Sequence, residues 1–399
     1  MEADMLLAFN AGSSSLKIGV FEVIGGMAKP IGRARVDLEI LPLKLSVRTK
    51  NLDREEQIAG DPEGDFSRVI EQVLSHIETI LPGNILAVGH RVVHGGMTFG
   101  GPVLFDDKVA EKIEELVALA PLHQPVALRV MRAVSGHNAG IRQTASFDTA
   151  FHMSQDDLAR RLAIPRKLHD AGVRRYGFHG LSYKYIVTRL AEIDRDAANG
   201  RVIAAHLGSG ASICGMLAGR SCDTSMGFSA LDGIPMATRP GWLDPGALLY
   251  LMRNGMPKPG QIEHFLYHEC GLLGVSGISG DVRVLLKDPN HRAEEAVELF
   301  CLRAAGEISR QAATLGGIDA LVFTAGIGEN QPAIRRCIAE RLRWLGLEID
   351  DKANEAHAQE ISAKSSRIKA FIIPTDEEQV IADEALSVLS RHSFPRGIS

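Results

Sequence analysis

Hydrophobic and polar positions alternate from the start of the chain, and a turn of small residues interrupts them. Residues 5–9 form a short apolar run, residues 11–14 are Ala-Gly-Ser-Ser, and residues 16–23 alternate again. Two such runs joined by a small-residue turn predict a β-hairpin. Residues 31–36 and 43–47 predict two further strands.

The spacing then changes from that of strands to that of a helix. Between residues 66 and 80, apolar side chains recur every three or four positions, which predicts an amphipathic helix. Residues 85–89 predict a strand. Residues 107–119 predict a helix, with Asp106 or Asp107 as its N-cap.

The pattern of the first hairpin returns in the second half of the chain. Residues 201–205 are apolar, residues 206–210 form a small-residue turn, and residues 211–217 alternate. The repeated order of strand, turn and strand indicates a diverged duplication. Helices and strands alternate afterwards, which favours an α/β fold with two similar halves. The predicted segments are a helix at 292–314, a strand at 320–324, a helix at 331–345, a strand at 370–373 and a helix at 377–389.

Composition and charge narrow the class of protein. The chain has 399 residues and a net charge of -5, so its length suggests two or three domains and its charge does not indicate a nucleic-acid or membrane partner. Its acidic start is unlike a secretory signal, and no apolar run reaches the roughly 18 residues of a membrane helix. Its five cysteines contain no C-x-x-C pair, which is typical of reduced thiols. We therefore expect a cytoplasmic protein.

Three loops of small residues follow predicted strands. Residues 10–17 read Asn-Ala-Gly-Ser-Ser-Ser-Leu-Lys, so backbone N–H groups, hydroxyls and Lys17 are available to a phosphate. Residues 206–210 have the same form without a lysine, and a structural hairpin turn explains them equally well. Residues 324–330 join a strand to a helix, a position that favours nucleotide binding, although a G-x-G sequence is also common in ordinary turns.

Several charged residues stand among glycines or at the ends of strands. Arg91 and Arg239 present planar forks that suit carboxylate and phosphoryl oxygens, although single arginines are often solvated. His179 lies in Gly-Phe-His-Gly, where a structural histidine is the alternative. Asp148 follows an apolar run, where an N-cap is the alternative. Residues 281–283 follow Gly-Ile-Ser-Gly, where a turn and the start of a helix are the alternative.

Taken together, these segments resemble the acetate kinases along almost the whole chain. Nine ordered blocks are more specific than any one of them alone. The matching blocks are NAGSSSLK (10–17), GHRVVHGG (89–96), APLHQP (120–125), FDTAFH (147–152), YGFHG (176–180), HLGSGAS (206–212), DTSMG (223–227), GIGEN (326–330) and PTDEE (374–378).

The resemblance implies the fold shared by actin, sugar kinases and the heat-shock chaperone ATPase. That fold is a duplicated, ribonuclease H-like α/β domain, with the active site in the cleft between the copies. It implies an N-terminal domain of residues 1–150 plus 383–399 and a nucleotide-binding domain of residues 151–382 that carries the dimer contact. The implied reaction is reversible phosphoryl transfer between ATP and acetate, giving ADP and acetyl phosphate. The implied metal is Mg²⁺, for which Mn²⁺ can substitute, and the implied assembly is a homodimer.

The resemblance also implies roles for individual residues. The metal would be held through Asn10 and Glu377. Catalysis would use Asp148, His179, Arg239 and Arg91, of which Arg91 also binds the substrate. The methyl pocket would contain Val93, Leu122 and Phe178. The nucleotide would be bound by Lys17, His206, Leu207, Gly208, Ser209, Gly210, Asp281, Val282, Arg283, Gly326, Ile327, Gly328, Glu329 and Asn330.

The chemistry of the acceptor changes the expected role of Asp148. A short carboxylic acid is already ionised at pH 7, so no base is needed to deprotonate it. We therefore expect Asp148 to hold a metal-bound water or an arginine in place, although the family labels it a catalytic acid.

A few positions depart from the acetate kinase pattern. Ser209 stands in place of asparagine in the second loop, and Ala230 stands in place of proline near the acyl pocket, which would widen the pocket toward propionate. No departure removes a proposed charged group. The remaining departures are Gln124, Pro240, Trp242, Ala325 and Asp376.

Three other functions fit parts of the pattern. A propionate or butyrate kinase would use the same chemistry with a larger pocket. An ATP-driven protein of the chaperone or filament type would need a peptide-binding domain or a polymer contact. A kinase-like regulator without activity is disfavoured because Arg91, His179 and Arg239 are all present.

Overall fold

The computed structural model describes residues 4–12, 15–62, 64–81 and 83–392, so Ser13 and Ser14 of the first predicted phosphate loop lie outside the described residues. The chain divides into two compact units. One comprises Met1–Phe151 with Asp376–Ser399, and the other comprises His152–Thr375.

The first unit contains an eight-stranded mixed sheet with the strand order β5-β4-β3-β2-β1-β6-β8-β7. Strands β1 to β5 pair with one another in antiparallel fashion, whereas β6 is parallel to both β1 and β8. The predicted hairpin and the two predicted strands after it are confirmed. The strands are β1 (Asp4–Ala11), β2 (Ser15–Ile24), β3 (Met27–Asp37), β4 (Lys44–Thr49), β5 (Asp53–Gln57), β6 (Asn84–Val92), β7 (Val103–Leu104) and β8 (Arg142–Phe147).

Helices α1 (Phe66–Ile80), α2 (Asp107–Glu115) and α3 (Gln124–His137) complete this part of the first unit. Helix α1 has the predicted bounds, because its apolar stripe lies buried in the core. Asp106 is the N-cap of α2, since its Oδ1 accepts a hydrogen bond from the Val109 N–H at 2.8 Å. The predicted end of this helix at residue 119 was wrong, because a separate 3₁₀ turn follows.

The second unit contains a five-stranded sheet in the order β11-β10-β9-β12-β13. Two antiparallel pairs on one side and two parallel pairs on the other reproduce the pattern β3-β2-β1-β6-β8 of the first sheet. The predicted duplication is therefore confirmed by strand order and direction. The strands are β9 (Arg201–Leu207), β10 (Ala211–Leu217), β11 (Arg220–Thr224), β12 (Ala320–Thr324) and β13 (Lys369–Ile372).

Helices cover much of the second unit, and several of them have no counterpart in the hydrophobic pattern. The predicted helix at 331–345 is divided, because α13 ends at Arg341 and a 3₁₀ turn follows. The helices are α4 (Arg166–Asp170), α5 (Gly180–Ile193), α6 (Arg195–Ala198), α7 (Pro245–Arg253), α8 (Pro259–His268), α9 (Gly271–Ser276), α10 (Val282–Leu285), α11 (His291–Leu315), α12 (Ala325–Asn330), α13 (Pro332–Arg341) and α14 (Asp351–Glu355).

The last helix, α15 (Glu377–His392), packs on the sheet of the first unit. Two glycines of that sheet permit the approach. A Cβ at Gly19 would lie 2.8 Å from the Cβ of Glu378, and a Cβ at Gly89 would lie 2.7 Å from Cγ2 of Ile381. Because α15 packs here along its length, the compact units divide before it, whereas the predicted boundary at 382 falls inside it. In the described ranges, no helix has both the length and the apolar character needed to cross a membrane.

Candidate active site

The first cluster of predicted residues forms around Arg91, which lies near the end of β6. In the parallel pair of β6 and β8, Arg91 stands opposite Ser146, so the chain after β8 brings Asp148 beside it. The guanidinium donates to both carboxylate oxygens of Asp148, with Nε–Oδ1 and Nε–Oδ2 distances of 3.1 Å and an NH2–Oδ2 distance of 2.6 Å. The Asp148 side chain is 1% exposed. The pair is thus a buried, bidentate ion pair.

Asn10, near the end of β1, connects this pair to α15. Its Oδ1 accepts a hydrogen bond from NH1 of Arg91 at 2.9 Å, and its Nδ2 donates to Glu377 at 2.9 Å and to Glu378 at 2.8 Å. Glu377 also lies 3.9 Å from NH1 of Arg91. The predicted metal residues and the predicted substrate arginine therefore belong to one hydrogen-bonded group.

This group holds more negative than positive charge. Burial alone would lower the pKa of Arg91, but the charges of Asp148 and Glu377 outweigh it and raise that pKa, so the arginine stays protonated. Burial raises the pKa of Asp148 against the opposing effect of Arg91, with Glu377 and Glu384 adding to the rise. Burial and Glu377 also raise the pKa of Glu378. Such a group favours a cation placed among its oxygens.

The oxygens available for a cation are of the hard type. Among the described residues, no group of three or more His, Cys, Asp or Glu side chains is arranged to hold a metal ion. Glu377 and Glu378 nevertheless supply two neighbouring carboxylates, joined through Asn10. One or two carboxylates, with water and substrate phosphates, are the coordination that Mg²⁺ usually has in nucleotide-dependent enzymes. The residues present thus fit this metal.

The second unit assembles a different group around His179, the residue before α5. Its backbone is left-handed, with φ 59°, which is unusual for a residue with a side chain. Its Nδ1 lies 2.8 Å from the hydroxyl of Ser212 on β10. Its ring stacks on that of His206, with centroids 4.2 Å apart and planes inclined by 14°. The strained backbone is held by these contacts and is typical of functional sites.

Arg239 approaches the same place from the loop before α7. A Cβ built on Gly210 would lie 3.5 Å both from NH2 of Arg239 and from Nε2 of His179, so the two donors flank one glycine. NH1 of Arg239 donates to the Ala230 carbonyl at 3.0 Å, and the backbone of Ala237 donates to the Ser209 carbonyl at 3.1 Å. The predicted pair of His179 and Arg239 therefore lies together beside the second predicted phosphate loop.

Two of the three predicted nucleotide segments meet at the carboxyl ends of β9 and β12 in the second sheet. Thr324 pairs with His206 where β12 and β9 end, and a Cβ at Gly208 would lie 3.6 Å from that of Ala325. Residues 326–330 form most of the short helix α12, where a loop was predicted. Arg335, which the sequence did not single out, is buried and donates to the carbonyls of Gly328 and Glu329 at 2.8 and 2.9 Å.

The third predicted segment, residues 281–283, lies at the start of α10. Asp281 caps this helix and forms a fork with Arg283, with an NH2–Oδ2 distance of 2.6 Å. A Cβ at Gly280, the residue before, would lie 2.8 Å from the carbonyl of Ala237. The segment is thereby connected to the loop that carries Arg239. The fork itself is solvent-facing, since the Arg283 side chain is 75% exposed.

Comparison with known proteins shows to which family the chain belongs. The sequence profile of the Acetokinase family matches residues 5–383. This chain belongs to the acetokinase family. An acetate kinase of Nitrobacter hamburgensis is 44% identical over 396 residues, which cover 97% of this acetokinase and 96% of that protein. An acetate kinase of Rickettsia prowazekii is 40% identical over 394 residues, which cover 97% of this chain and 100% of that protein.

Solved structures confirm the predicted fold class. The Porphyromonas gingivalis acetate kinase has a TM-score of 0.86 and 35% identity to this acetokinase, covering 97% of this chain and 100% of that one. A propionate kinase from Francisella tularensis has a TM-score of 0.88 and 33% identity, covering 96% and 98%.

Three of the unusual positions of this acetokinase have local explanations. Gln124 is fully buried and spans the backbone of His94, accepting from its N–H at 3.2 Å and donating to its carbonyl at 2.9 Å. Asp376 caps α15 through the Gln379 N–H at 3.1 Å and pairs with Arg33 at 2.6 Å. The bond from Ala237 to Ser209 uses only the Ser209 backbone, so serine or asparagine would serve it equally.

The remaining predicted residues are divided between the two units. Val93 and Leu122 belong to the first unit, where Val93 is 8% exposed and Leu122 is 39% exposed, and Phe178 is buried in the second unit. Lys17 is exposed on β2 opposite Asn10, and its charge opposes the rise in the Glu378 pKa. In this acetokinase, the residues that sequence reasoning missed include Glu378, Arg335 and Ser212. Tyr183 belongs with them, because its hydroxyl lies 2.5 Å from that of Ser212.

Proposed function

We propose that this chain is an acetate kinase, which transfers a phosphoryl group between ATP and acetate by direct in-line displacement. The products are acetyl phosphate and ADP. The observation that carries the proposal is the buried Arg91, whose guanidinium is fixed by Asp148 and Asn10. A planar, permanently charged fork held in this way suits a carboxylate that must be oriented but needs no deprotonation.

Asp148 acts on the arginine in this proposal. Both of its oxygens accept hydrogen bonds from Arg91. A carboxylate engaged in this way orients its partner, and the acceptor acid requires no general base at neutral pH. Asp148 is accordingly a positioning residue, and Arg91 is the group that binds the acid.

His179 and Arg239 serve the phosphoryl group. In phosphoryl transfer, charge spreads over three equatorial oxygens, and catalysis consists mainly of positioning and neutralisation. A histidine N–H and a guanidinium flanking Gly210 are donors of the required kind. The loops at 206–210 and 326–330, together with residues 281–283, are proposed to hold the nucleotide.

Mg²⁺ is proposed as the metal, with Mn²⁺ as a substitute. Glu377, with Asn10 and the neighbouring Glu378, would hold it. When bound, it supplies positive charge to phosphate oxygens. Asn10 fixes both glutamates and Arg91 through its two polar atoms, so the metal residues and the acid-binding arginine are oriented by one side chain.

The proposal requires Arg91, on the acid, and Arg239, on the phosphoryl group, to act in one transition state, and it expects their contributions to be coupled. A double-mutant cycle with Arg91→Lys and Arg239→Lys tests this requirement. If the two arginines are coupled in that transition state, the loss in kcat/KM of the double variant differs from the product of the single losses. Multiplicative losses would contradict that coupling.

The direct test of the function is an acyl phosphate assay with hydroxylamine. The purified chain is supplied with ATP, Mg²⁺ and acetate, propionate or butyrate, and acyl hydroxamate is measured. We expect product with acetate and a lower kcat/KM with propionate. One methylene changes kcat/KM by about 10-fold to 200-fold, so the difference should not exceed that range. Absence of acyl phosphate from every acid, or ATP hydrolysis that is independent of carboxylate, would refute the proposal.

Propionate kinase is the second candidate. The carbonyl of Ala230 accepts from Arg239, and by resemblance to the acetate kinases Ala230 would lie near the acyl pocket, where a small residue would leave room for an extra methylene. Ala230→Pro separates the candidates. If the space at Ala230 admits propionate, the variant loses activity with propionate more than with acetate.

We also propose that the protein is a cytoplasmic homodimer joined through the second unit. Large apolar side chains are exposed there, including Trp242 at 69% and Tyr250 at 65%, with Leu249 and Leu302 also exposed. Exposed apolar surface of this kind is typical of a contact with another chain. Light scattering after size-exclusion chromatography should give twice the 43.1 kDa chain mass. Tyr250→Asp should shift the mass toward that of one chain.

A further inference from the structure

The two stacked imidazoles of the second unit share one arrangement. His179 has its Nδ1 2.8 Å from the hydroxyl of Ser212, and His206 has its Nδ1 2.8 Å from the hydroxyl of Ser182. Both rings turn Nε2 toward the loop at 206–210, because Cβ atoms built on Gly210 and Gly208 would lie 3.5 and 3.8 Å from these nitrogens. Each serine thus contacts the nitrogen on the far side from the loop.

Ser212 is also joined to Tyr183 on α5. The two hydroxyl oxygens lie 2.5 Å apart, and both residues are fully buried. Burial is the largest cause that raises the pKa of Tyr183 well above its ordinary value, so the phenol keeps its proton. A tyrosine that donates to Ser212 leaves the serine hydroxyl hydrogen for Nδ1 of His179. In a neutral imidazole, acceptance at Nδ1 places the hydrogen on Nε2.

We propose that Ser212 and Tyr183 are positioning residues that hold neutral His179 in the tautomer with its hydrogen on Nε2, facing the phosphoryl group. This inference rests on the proposed function, because it gives His179 the role of donor. It explains why a polar chain is buried behind the histidine, where apolar packing alone would be less costly. The two hydroxyls also fix which nitrogen of His179 carries the hydrogen, which stacking on His206 alone would not do.

The proposal predicts an unusual pH dependence. Without Ser212, a neutral His179 can place its hydrogen on either nitrogen, and the tautomer with hydrogen on Nδ1 cannot donate toward the loop. The imidazolium that forms at low pH carries hydrogen on both nitrogens. The defect of a Ser212→Ala variant should therefore be largest at high pH and should shrink as pH falls.

Other charged and titratable groups surround this chain of hydroxyls. His206 stacks on His179, and Arg239 lies across Gly210 from it. His152 lies against Tyr183 with its ring at 72°, and burial lowers the pKa of His152 to about 4, so it is neutral in the range of the test. Cys214 and Glu307 also influence the Tyr183 pKa. None of these groups is altered by removing the Ser212 hydroxyl, so each contributes equally to the parent and the variant.

The test compares Ser212→Ala and Tyr183→Phe with Tyr176→Phe. The control also removes a buried phenol hydroxyl, but the Tyr176 hydroxyl donates to the Gly172 carbonyl at 2.7 Å. At pH 8, we expect kcat to fall about 3-fold to 10-fold for Ser212→Ala, as for loss of one hydrogen bond, and less for Tyr183→Phe. KM for acetate should not change. At pH 6, the ratio to the parent should be closer to one than at pH 8, whereas Tyr176→Phe should show a constant ratio.

Nitrogen NMR of histidine-labelled protein gives a second readout that does not depend on activity. In the parent, Nε2 of His179 should carry the hydrogen, and in Ser212→Ala the signal should show a mixture of tautomers, with His179→Gln used for assignment. A parent with hydrogen on Nδ1, or a Ser212→Ala defect that is independent of pH, would overturn the inference. If the parent made no acyl phosphate, the proposed function would fail, while the tautomer would still be decided by NMR.

Discussion

Replacement of Asp148 by asparagine tests the reasoning about the acid-binding group most directly. The exchange keeps the shape of the side chain but removes its charge and one of its two acceptor oxygens. Arg91 loses most of a three-bond contact and retains the remaining amide oxygen as an acceptor, the Asn10 bond at 2.9 Å and the charge of Glu377 at 3.9 Å. The arginine remains charged and 83% buried, since its side chain is 17% exposed.

The magnitude follows from that burial. Breaking a buried ion pair by removing one partner costs about 3–5 kcal/mol of unfolding free energy. Because Asn10 and Glu377 continue to compensate Arg91, we expect the lower end, about 3 kcal/mol. For a unit of this size that corresponds to a fall in Tm of about 6–12 °C. Since a mobile Arg91 no longer orients the acid, kcat/KM for acetate should fall on the order of 100-fold or more.

The chain offers a matched control in Arg201 and Asp319. This pair also forms a fork, with distances of 2.9 and 2.6 Å, but its side chains are 37% and 40% exposed. Exposed ion pairs contribute about 0–1 kcal/mol to the free energy of unfolding, and each kcal/mol moves the Tm of a unit of this size by roughly 2–4 °C. Asp319→Asn should therefore leave activity unchanged and lower Tm by about 4 °C or less.

Calorimetry and initial rates decide the matter. An Asp148→Asn enzyme with the rate and stability of Asp319→Asn would refute the reasoning. Partial recovery of the rate of Asp148→Asn at high Mg²⁺ would support a positioning role.

Three further exchanges have specific expected outcomes. Ala325 adopts φ 63° and Ala218 adopts φ 48°. Replacing either with glycine should raise the free energy of unfolding by about 0.5–1 kcal/mol after the entropy of glycine is counted, and so raise Tm. Only Ala325→Gly, beside the nucleotide loops, should change KM for ATP in initial-rate assays. Burial lowers the pKa of His90 to about 4 from 6.5, so stability falls as pH drops through this range, because the unfolded chain takes up the proton first. His90→Gln should reduce that slope by up to about 1.4 kcal/mol per pH unit in calorimetric melts from pH 7 to 4.5. Glu377→Gln should raise the Mg²⁺ concentration for half-maximal rate about 10-fold, whereas Asp319→Asn should not, and equal Mg²⁺ dependence would contradict the metal assignment.

Much of the fold follows from local patterns. The hairpins, α1 and β12 could be predicted because alternation and helical spacing are properties of a short window of sequence. The helices between residues 245 and 285 could not be, because α7 buries no residue completely and α9 and α10 have six and four residues, so no periodic stripe marks them. The end of α2 depends on its C-cap at Leu116, which carries no sequence signal.

The candidate site divides in the same way. Arg91, His179 and Arg239 could be singled out because glycines and strand ends surround them. Glu378, Ser212 and Arg335 could not be, because their roles arise from contacts across the fold. Glu378 and Asn10 are hydrogen-bonded although 368 positions separate them in the sequence, and Ser212 and His179 are 33 positions apart. The alternation of residues 211–217 predicts a strand, but not which histidine the serine meets.

The duplication explains how equivalent strand ends in the two units favour charges of opposite sign. Asn10 and His206 are each the penultimate residue of the first strand in their unit, β1 and β9, so the backbone places them equivalently. In the first unit, that position contacts two glutamates of α15, which creates a group that favours a cation. In the second, it contacts a serine hydroxyl and another imidazole, beside an arginine, which creates a group of donors suited to an anion. The backbone fixes where chemistry can occur, and the residues that meet each strand end fix the sign of the charge that binds there. Phosphoryl transfer needs both signs, because the metal and the phosphate oxygens must be held at the same time. In the proposed mechanism, the divergence of the two halves supplies both signs.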